Sequence, residues 1–253
     1  MARLVTPTAF GTTGTRIRAE LDGRVVADSR NAVLLRESPA QLTYGFPETD
    51  VADGVIERSE RTRRSKRRGE QIFWHVGEGP SRRENAAFAF SEVPDGRPDL
   101  RGYIFIDFRA MSAWYEEEEE LLGHPRDPFT RIDVRRSSAH VKVEADGVTV
   151  ADSSRPMVLV ETGLPTRYYV PTADVDWQYL EPSETSTVCP YKGRSTYWSI
   201  RAGENLLEDV AWAYQEPLQD ARAVSGTVCF QQEKLELYLN GERQETPPRF
   251  FTK

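Results

Sequence analysis

Residues 16–51 and 140–175 can be written one above the other without a gap, at a constant offset of 124 positions. Asp22-Gly23 falls on Asp146-Gly147, and Ala27-Asp28-Ser29 falls on Ala151-Asp152-Ser153. Glu37 meets Glu161, Tyr44 meets Tyr168, Pro47 meets Pro171 and Asp50 meets Asp174. The same offset carries Phe73-Trp74 onto Tyr197-Trp198, Phe88 and Phe90 onto Trp212 and Tyr214, and Trp114 onto Tyr238. One register held over about a hundred residues means that the chain repeats one unit of ordinary domain size. The boundaries read as 16–117 and 140–241. Between them, a glutamate run at 116–120 and the stretch GHPRDPFTR read as a linker over 118–139.

Each unit looks built from strands. Val141, Val143 and Ala145 alternate with polar residues, and a second apolar run follows Asp146-Gly147. Asp-Gly between two such runs signals a tight hairpin, because both turn positions need positive φ. Residues 157–160 form a short apolar run that suits a buried strand. Further runs at 168–170, 197–200, 210–214, 227–230 and 235–239 are short and rich in aromatic or β-branched residues. No long segment carries a 3.6-residue apolar period, although 206–211 is ambiguous. The expected fold class is all-β: two tandem antiparallel domains, tent- or barrel-like, related by a pseudo-two-fold axis. On that expectation the chain is a monomer with an internal pseudo-dimer.

Composition bounds the partners. The formal charge is −7, so the average surface does not attract nucleic acid. No apolar run approaches the ~20 residues of a membrane-spanning helix. Residues 1–15 have no charged-then-apolar leader pattern, and a cytoplasmic location is expected. Cys189 and Cys229 are too few for a disulfide scaffold. His75, His124 and His140 are scattered and no Cys-x-x-Cys occurs, so neither a metal nor another cofactor is expected.

VEADGVTVADSSRPMVLVETGLPTRYYVP at 143–171, CPYKGRSTYW at 189–198 and EDVAWAY at 208–214 resemble a bacterial and fungal family known as domain of unknown function 427. The first unit is similar but diverged. The resemblance implies a small all-β fold and leaves the biochemistry open. The family is sometimes grouped with nucleotidyltransferases. A polymerase-like transferase needs a Gly-Ser turn followed by paired carboxylates that hold magnesium, and no such arrangement occurs here.

Three segments of the second unit carry more chemistry than a core requires. Glu161 ends an apolar strand ahead of Tyr168 and Tyr169. A buried carboxylate needs a partner, and one without a partner is a candidate acid or base. The plain alternative is an ion pair with Arg167 or Lys192, or hydrogen bonds from turn amides. Cys189, Tyr191, Lys192 and Gly193 lie in one turn. A thiol beside an ammonium is a candidate nucleophile, and the glycine would allow a ligand close to the backbone. Lys192 could instead anchor an anion or a carbonyl. Trp198, Trp212 and Tyr214 are candidate walls for a flat ligand. Core packing is the competing explanation for the rings, and a small buried thiol the competing explanation for Cys189. The expected site is therefore Glu161, Cys189 and Lys192 as reactive groups, with Tyr168, Tyr169, Tyr191, Gly193, Trp198, Trp212 and Tyr214 around a small molecule.

The first unit has Ser65, Arg67 and Arg68 where the second has Cys189, Tyr191 and Lys192. Two other functions stay open. A non-catalytic protein-interaction module would use the wide β surface. A nucleotide or nucleic-acid binder would use Arg58, Arg61, Arg63, Arg64, Lys66, Arg67 and Arg68. That run has no interleaved aromatics for base stacking, and its plain explanation is a solvated loop facing glutamates 116–120.

Overall fold

In a computed structural model, which describes residues 9–38, 41–66, 69–95 and 98–245, the chain divides into two compact units between Asp127 and Pro128. Each unit is a pair of antiparallel sheets, one of seven strands and one of four, with the same strand order in both units. The fold is the duplicated all-β one that the repeat and its turns imply, and the seven-stranded sheets remain open rather than closing into barrels.

The large sheet of the second unit runs, across its width, Ile132–Arg136, Met157–Glu161, Arg167–Pro171, Thr227–Phe230, Asn205–Tyr214, Gly193–Ala202 and Leu180–Cys189. The small sheet runs Val148–Ser153, Val141–Ala145, Glu236–Leu239 and Glu242–Arg243. The hairpin between Val141–Ala145 and Val148–Ser153 turns where the sequence says it should. Asp146 and Gly147 have φ of 47° and 80°, the left-handed pair that a two-residue hairpin demands. The ambiguous stretch 206–211 is strand.

Two strands carry no strong β signal in the sequence. Leu180–Cys189 is an edge strand of serines, threonines and a proline. An edge strand tolerates that composition because one side needs no partner. Ile132–Arg136 lies inside the segment expected as linker and borders the large sheet by pairing with Met157–Glu161. At the other end of that segment, Glu119–Glu120 pairs with Ala113–Glu116. The segment 118–139 therefore contributes strand to both units.

Alternation assigns each side chain of the large sheet to one of two faces. The inner face packs on the small sheet around Val141, Val150, Val170, Ile200, Val210 and Val228. The outer face carries a second cluster: Leu159, Tyr169, Tyr214 and Cys229, under the 3-10 helix Gln219–Val224 with Ala221 and Val224. The first unit has the same two layers, with Ile17, Phe46, Ile106 and Trp114 inside and Val33, Leu35, Phe90 and Phe105 outside. No helix among the described residues is long and apolar enough to cross a membrane.

Candidate functional site

The outer face of the second unit is not completely filled. A hollow of about 490 Å³ opens there, lined by residues of four strands and of the loops between strands. Its aromatic walls are Tyr169, Tyr197, Trp212 and Tyr214. Its charged groups are Glu161, Arg167, Lys192, Asp209 and Glu233. Leu164 and Pro165 contribute an apolar side, and Leu164 is itself 36% exposed.

Two ion pairs flank the hollow. Lys192 Nζ donates to Glu161 Oε2, and both residues are buried. Of the two cations open to Glu161 in the sequence, Lys192 is the one it pairs with. Arg167 instead forms a fork on Glu233, at 2.9 Å from Nη1 and 2.6 Å from Nη2. Its guanidinium also lies 5.7 Å from the Trp212 ring centroid. Burial opposes the charge on Arg167, yet the opposing influences, chiefly the Glu233 hydrogen bonds, leave its pKa above the usual value. Paired in this way, each cation is electrically satisfied, so Lys192 does not offer a free ammonium to an anion.

Burial pushes the phenols of Tyr169 and Tyr214 well above the usual tyrosine range. The Tyr169 hydroxyl accepts from Trp212 Nε1 at 3.4 Å. Asp209 differs from the other acids. Its neighbours are hydroxyls: Ser183 and Thr185 hold its carboxyl below the usual range, and Thr185 Oγ1 donates to it at 2.7 Å. Asp209 has a φ of 53°, a bulge-like conformation that turns its side chain to the outer face.

Of the ten residues expected at the site, five meet in the hollow: Glu161, Tyr169, Lys192, Trp212 and Tyr214. The other five do not line it. Tyr168 packs toward the inner core, because it neighbours Tyr169 and strand alternation sends it the other way. Trp198 also joins the inner core and meets Trp177 edge-to-face at 5.5 Å. The wall expected of Trp198 is supplied by Tyr197, which pairs with Trp212 across the strands. Cys189 is half-buried against the outer cluster, and Tyr191 is buried in the turn. Gly193 is required by the turn rather than by a ligand. Its φ is 99°, and a Cβ there would lie 3.2 Å from the Glu216 carbonyl oxygen.

Arg167, Tyr197, Asp209, Gln231 and Glu233 are lining residues that sequence reasoning did not place at the site. A signal for them existed. At the same offset the first unit has Thr43, Phe73, Asn85, Asp107 and Arg109, so each position changes polarity, size or charge between units.

The basic run lies elsewhere. Residues 56–65 are the edge strand Ile56–Ser65 rather than a loop. The neighbouring strand supplies aromatics after all: Arg58 lies 5.0 Å from the Trp74 ring centroid and Arg61 lies 4.6 Å from that of Phe73. Arg64 pairs with Glu92, and Arg67 and Arg68 lie outside the described residues. The glutamate run does not face these arginines in any described contact. Glu117 and Glu118 pair with Arg16 and Arg30.

The fold and site together define a tandem β protein whose two units share an architecture and differ in what fills the outer face of the large sheet. The family described as a domain of unknown function (DUF427) matches residues 10–117 and again 133–241, and the chain belongs to it, with two copies in tandem. No curated protein matches the chain.

Proposed function

We propose that the C-terminal unit binds a small polar molecule in the hollow over Trp212, and that the N-terminal unit does not use the same face for this. One contrast carries the reading. In the first unit, Phe88, Phe90 and Phe105 pack against one another at 5.3–5.7 Å between centroids. The corresponding positions of the second unit are Trp212, Tyr214 and Cys229, and they leave a cavity lined with charge. A duplicated core has no stability reason to exchange packed phenylalanines for a hollow, because unfilled volume costs stability. Convergent polar groups over an aromatic floor are the usual form of a small-molecule site.

The Lys192–Glu161 pair is a fixed part of the wall in this reading. It can act on a ligand as a proton-sharing acid and base only if the ligand separates the two. Binding is therefore the function the geometry supports best, with acid–base chemistry as an extension of it.

The test uses the full chain with nitrogen-15 in its indoles, and Trp212→Phe to assign the Trp212 signal. Amino acids, polyamines, nucleosides and sugar acids are added at millimolar concentration. A saturable shift of the Trp212 indole by one of these classes is the expected result. Shifts confined to Trp74 and Trp114 of the first unit, or no shift at all, would count against the reading.

A further inference from the structure

Two cations and three carboxylates line the hollow. Lys192 is paired with Glu161, and Arg167 with Glu233. One carboxylate, Asp209, is left over. Among the described residues it forms no ion pair, and its hydrogen-bonding partners Ser183 and Thr185 are neutral hydroxyls. A positive charge that acts on it is that of Lys234, whose ammonium donates to the Glu208 carbonyl at 3.3 Å.

The duplication shows that this charge is not needed by the fold. The corresponding residue of the first unit is Asn85, with φ of 52° against 53° for Asp209. Asn85 accepts from Ser59 at 2.6 Å and its backbone N–H donates to His75. Asp209 accepts from Thr185, and its backbone N–H donates to Ser199. Asparagine and aspartate both tolerate the left-handed region. The backbone therefore accepts a neutral amide here, and the first unit uses one. The second unit therefore adds, at the hollow, a carboxylate that this backbone conformation does not require.

That carboxylate faces a space walled by Tyr197 and Trp212, whose ring centroids are 6.4 Å apart. Aromatic faces attract cations, and more so where water is partly excluded. We infer that the ligand of this hollow carries a positively charged nitrogen, a protonated amine or a substituted ammonium, which pairs with Asp209 against the Trp212 and Tyr197 rings. The inference rests on the binding reading above and adds the ligand's charge to it.

Benzylamine, benzyl alcohol and benzoate share a ring and differ in charge, so they test it directly on the wild-type chain through the Trp212 indole signal. Benzylamine is expected to bind about tenfold more tightly than the alcohol, with benzoate weakest. Asp209→Asn, which copies the residue of the first unit, is expected to remove the advantage of the amine while the chain remains folded. Should benzyl alcohol or benzoate bind as well as benzylamine, the inferred cation is wrong while the hollow stands as a site. A preference for the amine that survives in Asp209→Asn removes Asp209 from its role. If none of the three probes shifts Trp212, and the broader set is equally silent, both the inference and the binding reading fall. The ranking on the wild-type chain decides the inference even if Asp209→Asn folds poorly.

Discussion

The Phe105 ring occupies the space that a side chain on Gly45 would need: a Cβ on Gly45 would lie 2.6 Å from Phe105 Cε1. The two residues face each other across neighbouring strands. In the second unit the same cross-strand pair is Tyr169 and Cys229, with the large residue on the other strand. Glycine with phenylalanine fills the outer face from one side, and tyrosine with cysteine fills it from the other. Exchanging which strand carries the ring is one way in which the same backbone comes to have a packed face in one copy and a hollow in the other.

Gly45→Ala should destabilise the first unit by about 1–3 kcal/mol, the usual cost of overpacking a filled core. Combining it with Phe105→Leu should recover part of the loss. Urea unfolding of the single and double variants checks this, and additive losses would mean that the two residues do not compete for one space.

Lys192→Met should cost about 3–5 kcal/mol, because it leaves the Glu161 carboxylate buried without its cation. Lys192→Met with Glu161→Leu should be much closer to wild type. Thermal unfolding of the three chains measures the coupling. A single variant as stable as wild type would show that water already reaches Glu161.

Asp174 gives the second unit a defined acid sensitivity. Arg155 and the Ser153 hydroxyl hold its carboxyl below the usual range. A carboxyl depressed by folding stabilises the native state above its unfolded pKa, near 4. That contribution disappears as pH falls through the lower folded value. Relative to wild type, Asp174→Asn should therefore lose stability at pH 6 and converge with it toward pH 2. Denaturation midpoints across that range provide the comparison, and a constant gap would remove the carboxylate from the account.

The two thiols should react very differently. Cys229 is fully buried, and burial pushes its thiol up to about 12, whereas Cys189 is half-buried. At pH 8, iodoacetamide should label Cys189 in the native chain and reach Cys229 only after unfolding. Peptide mass spectrometry reads both sites, and native labelling of Cys229 would indicate frequent opening of the outer cluster.

Much of this molecule is written locally. The 124-residue repeat, the Asp-Gly turn at 146–147 and the alternation of Val141, Val143 and Ala145 are features of neighbouring residues. Antiparallel strands and their turns follow from them by short-range geometry. Leu180–Cys189 escaped because an edge strand needs no apolar alternation, and Ile132–Arg136 escaped because charge and proline around it resemble a linker.

The sequence by itself determined the duplication and the all-β class, and five of the ten residues it singled out line the hollow: Glu161, Tyr169, Lys192, Trp212 and Tyr214. Only the tertiary structure decided that Tyr197 rather than Trp198 lies on the outer face with it, and that Arg167 belongs to Glu233. The physical reason is that side-chain direction in a strand has a period of two. A single bulge, such as the one at Asp209, shifts every assignment beyond it. Pairing between residues 31 and 66 positions apart, as in Glu161–Lys192 and Arg167–Glu233, depends on how the strands line up across the sheet, which no local pattern encodes.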